Sequence, residues 1–208
     1  MNGKEIVKRV CPGLVMKAVC CGLALSMIFT LTGFFGGCRD IESRLLRFHI
    51  IANSDSREDQ QLKMLVRDGV TEYTDQLFRQ CASKEQAERI TADNLDNINS
   101  KAQQIVYSRG YDYKTEACLT KMHFDTRVYD DFTLPAGEYD ALRITIGRGE
   151  GHNWWCVLYP GICVSSAEKN IGSALSDGET DMVTNSDRYV IRFRLVEWFE
   201  DIRSSLGL

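Results

Sequence analysis

The residue types most suited to chemistry lie in two short segments of the chain. The first, residues 151–163, combines a histidine, an asparagine, adjacent tryptophans and spaced cysteines, a set that core packing alone rarely explains: His152, Asn153, Trp154, Trp155, Cys156 and Cys163. The second, residues 47–56, contains His49, Asn53 and Asp55. Together these residues suggest a cysteine–histidine nucleophile, a metal site or a surface for another molecule.

The nucleophile hypothesis rests on Cys156, which follows His152 by four residues, with Asn153 available to orient an imidazole. Two features count against it. A cysteine with a second cysteine nearby is expected to be oxidised in an exported protein, and an oxidised sulfur cannot attack. The segment also lacks a glycine-framed turn that opens a helix. A secreted hydrolase therefore stays an alternative.

Metal and phosphate sites have less support in the sequence. His49, His123 and His152 are far apart, and the chain contains neither HExxH nor CxxC. The glycine-rich residues 147–151 are not followed by the Lys-Ser or Lys-Thr pair of a phosphate-binding loop, which favours a sharp turn. We therefore predict no metal and no cofactor.

The aromatic residues favour an interaction surface. Tryptophan and tyrosine are the residues in which protein interfaces concentrate binding energy. Trp154, Trp155 and Tyr159, framed by glycines and Pro160, are predicted to form a rigid surface knob. In the alternative, one tryptophan fills the core while the other caps a helix end, and a further alternative is that the rings stack on cell-wall glycans.

Charge and hydropathy divide the chain into residues 1–38, a signal peptide or membrane anchor, and an exported domain, residues 39–208. Four basic residues precede the 18 uncharged residues 18–35, a pattern typical of secretion. Residues 35–38 (FGGC) resemble a lipobox, so cleavage, lipidation and retention as an anchor are all open. The first 38 residues hold four of the 25 basic and one of the 29 acidic residues, which leaves a net charge of −7 and argues against nucleic acid.

Four cysteines follow the leader, and they allow three disulfide pairings: Cys81, Cys118, Cys156 and Cys163. We predict a bridge between Cys156 and Cys163, because Pro160 and Gly161 between them can turn the chain back. The alternative is four buried thiols.

Periodicity predicts an α+β fold, with three or four strands packed against a helical hairpin and a C-terminal helix. Strands are expected at residues 41–52, 113–119, 142–146 and 188–195. One helix follows an Asp55 cap with Glu58 at the capping-box position and runs to about Arg79; the second runs from a Ser83 cap to Gly110. Residues 165–186 are predicted to be the least structured.

Two long segments resemble the stage II sporulation protein R family of endospore-forming Firmicutes: RFHIIANSDSREDQQLKMLVRD and LPAGEYDALRITIGRGEGHNWWCVLYPGIC. With the closing segment, the resemblance covers most of the exported domain.

The resemblance implies a function that composition does not show. Members are exported from the forespore into the intermembrane space. There they activate a membrane-embedded aspartic protease, which processes pro-sigma-E in the mother cell. The chain would then be a ligand and not an enzyme. The partner-binding residues we predict are His152, Asn153, Trp154, Trp155, Tyr159, Asn53 and Asp55, and any membrane association would use the N-terminal segment.

Overall fold

A computed structural model describes residues 12–129, 132–161 and 175–206 of the chain. The chain divides into two compact units, Met1–Gly37 and Cys38–Leu208. The helices are α1 (Pro12–Arg44), α2 (Arg57–Leu77), α3 (Lys84–Asp93), α4 (Leu95–Ser108), α5 (Asp177–Thr184) and α6 (Val190–Leu206). The strands are β1 (Leu46–Ile51), β2 (Thr115–Phe124), β3 (Arg127–Val128), β4 (Thr133–Leu134), β5 (Gly137–Ile146) and β6 (Asn153–Tyr159).

The described part of the first unit is the apolar part of α1. Its large side chains, among them Leu23, Met27 and Phe29, are exposed. Within the described residues, the helical stretch Val15–Arg44 is long and apolar enough to cross a membrane. An N-terminal helix of this kind is compatible with a signal peptide or an anchor.

The second unit is built on a mixed four-stranded sheet with the order β2-β5-β1-β6. β1 pairs in parallel with β5 and antiparallel with β6, and β2 pairs antiparallel with β5. β3 and β4 form a separate two-stranded ribbon. The predicted α+β class, with a small sheet of three or four strands, is therefore confirmed.

The helices α2 and α4 cover one face of this sheet, which we call the first face. Alternate β1 residues, Leu46, Phe48 and Ile50, are fully buried there against the three-four stripe of α2, which includes Leu62 and Val66. Each such side chain contributes roughly 1.5–3 kcal/mol relative to an exposed position. The helical hairpin thus anchors β1, the strand that carries one of the two motifs.

The second face of the sheet has its own apolar core over part of its length. That core includes Ile41 and Leu45 from the end of α1 and its junction with β1, Tyr139 from β5, and Val183 from α5. The remaining β1 positions, Arg47 and His49, point to this second face and are also buried. Buried polar groups of this kind need hydrogen-bond partners.

Two predicted strands are partly or wholly wrong. Residues 41–44 belong to α1, because Ile41 and Leu45 are buried at a helical spacing of four. Residues 188–195 lie in a short 3-10 helix and in α6 rather than in a strand. The buried positions Phe193, Val196 and Glu200 follow a three-four period, which outweighs the alternation seen in the sequence.

The helix ends also differ in detail from the prediction. Ser56, not Asp55, caps α2, and its hydroxyl accepts from Asp59 N at 3.1 Å. The Ser83 cap and the left-handed Gly110 (φ 80°) are confirmed. The predicted second helix is divided at Asn94, whose side chain donates to the Ile90 carbonyl at 2.8 Å and competes with the backbone.

Candidate functional site

The two motif segments lie side by side at one end of the sheet. β1 and β6 are antiparallel neighbours, and their register places Phe48 opposite Cys156, His49 opposite Trp155 and Ile51 opposite Asn153. The chain therefore brings together residues that are far apart in sequence. The segments that follow β1 and precede β6 meet at the same sheet end.

The contact between these two segments is formed by Asp55 and His152. The Asp55 carboxylate accepts from the His152 backbone N–H at 2.6 Å and contacts the ring Nδ1. The hydrogen bond from the His152 ring lowers the pKa of Asp55, so the carboxylate is charged at neutral pH. Both side chains are exposed, at 78% for His152 and 54% for Asp55. This acid–base pair is open to another molecule.

Asn53 lies beneath this pair and is buried. Its Nδ2 donates to Asp59 Oδ2 at 2.8 Å, and its Oδ1 accepts from Arg148 N at 3.0 Å. Ser54 also donates to Asp59 Oδ2, at 2.6 Å. Burial raises the pKa of Asp59, but these hydrogen bonds outweigh burial and hold that pKa below its ordinary value. One carboxylate thus ties β1 to the start of α2.

The glycine-rich loop uses its backbone groups within the protein. Gly151 N donates to Ala52 O at 3.0 Å, and Glu150 N donates to Asn53 O at 3.3 Å. Gly147 has φ 59°, and a Cβ there would lie 2.3 Å from Asn53 Oδ1. The loop is therefore a turn packed against Asn53, as the absence of a phosphate-binding signature predicts.

Lys63 is a further member of the site that sequence analysis missed. It is buried, and its Nζ donates to the His152 carbonyl at 2.8 Å and to Gln60 Oε1 at 2.6 Å. Burial lowers the pKa of Lys63, partly offset by the charge of Asp55. The sequence offers no signal for this role, since Lys63 occupies an ordinary helical position.

The two tryptophans point to opposite faces of the sheet. Trp154 packs against the first-face core, with the Arg67 guanidinium 4.8 Å from its ring centroid. Trp155 lies on the second face and stacks on His49, with the ring centroids 3.9 Å apart. The segment is a half-buried strand and not the predicted surface knob, because alternate residues of a strand point to opposite sides.

His49 and Tyr159 also have structural contacts. His49 Nε2 lies 2.9 Å from Asn153 Oδ1, and burial lowers the pKa of His49. Tyr159 packs edge-on against Phe78 and donates to the Cys81 carbonyl at 3.4 Å. Tyr159 lies at the far end of β6 from Asn153, roughly 20 Å away at the rise of a strand. The predicted partner-binding residues therefore do not share one surface.

Arg47 was not singled out from the sequence. It is fully buried on the second face and lies over the Phe124 ring at 4.2 Å and over the Tyr139 ring at 5.0 Å. Its Nε donates to the Cys156 carbonyl at 3.1 Å, and one terminal nitrogen donates to the Tyr129 hydroxyl at 2.9 Å. A fully buried arginine cannot be recognised from a strand sequence in which its neighbours are apolar.

Cys156 is disulfide-bonded and 5% exposed. Cys163, its predicted partner, lies outside the described residues, so the pairing stays a prediction. Cys81 and Cys118 are free thiols. The alternative of four unpaired thiols is therefore wrong. Within the described ranges, no three His, Cys, Asp or Glu side chains are grouped so that they could hold a metal ion.

Comparison with known proteins gives two matches of the same description. The Stage II sporulation protein R family matches residues 42–169. The Stage II sporulation protein R of Bacillus subtilis (strain 168) is 31% identical over 187 residues, which cover 79% of this chain and 84% of that protein. No solved structure matches the chain significantly. The family match spans most of the second unit, including β1, β6 and the loop between β5 and β6, and the chain belongs to the stage II sporulation protein R family.

Proposed function

We propose that this chain is an exported signal that activates a membrane-embedded aspartic protease. In this proposal, the N-terminal apolar segment directs export of the chain from the forespore, and the chain acts in the intermembrane space. The protease then removes the pro-sequence of sigma-E in the mother cell. The chain acts as a ligand of the protease and does not itself catalyse a reaction. Membership in a sporulation family and the N-terminal helix support this role.

The observation that carries the proposal is the exposed patch formed by Asp55, His152 and Asn153, which we call the docking patch. Asp55 and His152 are more than half exposed, and Asn153 is exposed beside them. The groups underneath are buried and hydrogen-bonded through Asn53 and Lys63. A patch that is already ordered loses little conformational entropy on binding, which favours a recognition surface.

Activation would follow from differential affinity. A ligand shifts an equilibrium between inactive and active protease states only when it binds the active state more tightly. The docking patch supplies a carboxylate, an imidazole and an amide, which can form directional hydrogen bonds with a partner. Binding to the extracytoplasmic part of the active protease, as a monomer or a dimer, would therefore increase the processing of pro-sigma-E.

The structure disfavours the two alternatives that the sequence left open. A hydrolase would need the thiolate of Cys156, but Cys156 is disulfide-bonded and its sulfur is not available as a nucleophile. A glycan-binding platform would need neighbouring aromatic faces. Trp154 and Trp155 instead lie on opposite sides of the sheet, and each packs against residues of this chain.

The test is a processing assay in a non-sporulating host that makes the protease and pro-sigma-E of the same organism. We expect the precursor to shorten on a blot only when the full chain is also made. The double variant D55N/H152Q should reduce the processing rate at least about tenfold, the loss of roughly 1.4 kcal/mol of binding energy. The variant H123Q is the control, since His123 is a partly exposed histidine near acidic residues at the other end of the sheet.

Two results would contradict the proposal in different ways. If D55N/H152Q were exported normally and supported full processing, the docking patch would not be the contact surface. If the exported, folded wild-type chain supported no processing, the proposed activation itself would be wrong.

A further inference from the structure

The second face of the sheet carries a row of cationic and aromatic side chains next to the docking patch. Strand register places Arg143 beside His49, and His49 beside Trp155. The rings of His49 and Trp155 are stacked within 6° of parallel. Arg127 extends the row, since its guanidinium lies 5.4 Å from the Trp155 ring centroid. We call Arg143, His49, Trp155 and Arg127 the arginine–aromatic row.

Polar nitrogens in this row and in the row next to it are incompletely paired. Within the described part of the chain, two buried donor atoms in the row, Arg143 Nε and Arg127 Nε, have no hydrogen-bond partner, and neither does the His49 ring nitrogen Nδ1. Arg47 lies in the adjacent row of the same face, and one of its terminal nitrogens is also buried without a hydrogen-bond partner. Unpaired buried donors of this kind are rare in folded proteins, and each calls for an explanation.

Few carboxylates balance these charges in the described residues. Neither Arg47 nor Arg143 has an ion pair there, and Arg127 pairs only with Asp125, at 3.6 Å. The Asp125 side chain is 69% exposed, so that pair is open to competition from a ligand. Glu116 is also exposed on this face, two residues from the β2 position that lies opposite Arg143.

The row is accessible at its surface. The Arg127 side chain is 38% exposed, and Arg143 and Trp155 are each partly exposed. The Trp155 ring, stacked on the buried His49, is the partly exposed ring of this pair, and an aromatic edge carries positive partial charge. Two guanidiniums at the ends of such a stack provide forked donors that match a carboxylate. The charge of Arg47, buried in the adjacent row, adds to the positive potential.

We propose that the arginine–aromatic row binds an acidic segment of the partner protein, with an aspartate or glutamate carboxylate held by Arg143 or Arg127. This inference rests on the proposed function, because the partner is the activated protease. The exported domain as a whole has a net charge of −7, so this local positive row is expected to recognise an acidic peptide and not an extended polyanion or an anionic membrane surface.

The binding test uses the full chain purified in a non-ionic detergent. The probes are fluorescently labelled synthetic peptides that cover the extracytoplasmic segments of the protease. Each peptide has a twin in which Asp and Glu are replaced by Asn and Gln. We expect at least one acidic peptide to bind about tenfold more tightly than its twin, as for the loss of one charge-assisted hydrogen bond. Fluorescence anisotropy measures the affinity.

Two variants of this chain locate the site. R127Q/R143Q should weaken binding of that peptide by at least about tenfold and slow processing in the host assay. R89Q is the control, because Arg89 is exposed on α3 and donates only to Glu85 O of its own helix. Thermal melting of R127Q/R143Q shows whether the variant still folds. The conservative variant R127K/R143K is a second comparison, since lysine retains the charge.

The results separate this inference from the proposed function. Equal binding of the acidic peptides and their twins, or full processing with folded R127Q/R143Q, would overturn carboxylate recognition while activation stands. Loss of binding to phosphatidylglycerol vesicles by the variant, with peptide binding unchanged, would identify a lipid site and also overturn it. Failure of the wild-type chain to support processing would reject the proposed function, and the peptide comparison would still decide what the row binds.

Discussion

Replacing Asn53 by alanine should destabilise the second unit and disorder the docking patch. The amide joins three segments, because it donates to Asp59 of α2 and accepts from Arg148 of the loop before β6 while lying at the end of β1. Alanine has no group that can take over either bond. The change removes the link without altering the chemical identity of the docking-patch side chains.

The expected loss follows from the two hydrogen bonds. The bond to the Asp59 carboxylate contributes about 1.5–3 kcal/mol, and the neutral bond from Arg148 N about 0.5–1.5 kcal/mol. Asp59 keeps its bond from Ser54, and Arg148 is exposed and can bind water instead. We therefore expect a decrease of about 2–3 kcal/mol in the free energy of unfolding, or roughly 4–12 °C in Tm for a domain of this size.

Urea titration of the full chain in non-ionic detergent, followed by far-UV circular dichroism, measures this change. N97A is the control, because Asn97 is an exposed amide on α4 whose bond to Asn94 is 3.4 Å long, and its loss should be within about 0.5 kcal/mol. N53D should be less stable than N53A at neutral pH, since a carboxylate there cannot donate to Asp59 and repels it. Wild-type stability of N53D would refute the role assigned to this amide.

Three further predictions test other contacts. The variant H49Q should be destabilised less than the wild type when the pH is lowered. Burial lowers the pKa of His49 below 6.5, so on acidification the unfolded chain takes up the proton before the folded chain does. The stability of the wild type therefore falls as the pH drops through that range. Melting temperatures at about pH 7.5 and about pH 5.5 measure this effect. G151A should lower Tm, because a Cβ would lie 2.2 Å from the Ser54 carbonyl oxygen, whereas Gly178 has open space and G178A should leave Tm unchanged or slightly higher. Maleimide labelling of the chain unfolded without reductant should leave Cys156 unmodified by mass spectrometry, and prior reduction should make it reactive.

Each of these three predictions would be contradicted by a specific result. Equal acid sensitivity in H49Q and the wild type would show that other groups control stability in this range. A wild-type Tm in G151A would mean that the loop moves away from Ser54 at no cost. Labelling of Cys156 before reduction would exclude the disulfide and reopen the nucleophile hypothesis.

Local patterns predicted much of this fold correctly. The α2 stripe, the Ser83 cap, the Gly110 end and the strand around Leu142 all depend on neighbouring residues, which the sequence displays directly. The errors occurred where local patterns are ambiguous. Residues 188–195 alternate as in a strand, but burial of Phe193 and Val196 against other elements selects a helix. Asp55 resembles a helix cap, but its carboxylate bonds to His152, so Ser56 caps α2.

The sequence by itself determined the apolar N-terminal segment, the α+β class and the family, because each is recorded in residue order or in short periodic patterns. Only the tertiary structure decided which distant side chains meet. The register of β1 on β6 places His49 against Trp155, and the same pairing separates Trp154 from Trp155 across the sheet. Arg47 and Lys63 acquired their roles only there. Strand pairing depends on the packing of both sheet faces, and shifting it by one residue would move every side chain of β6 to the other face.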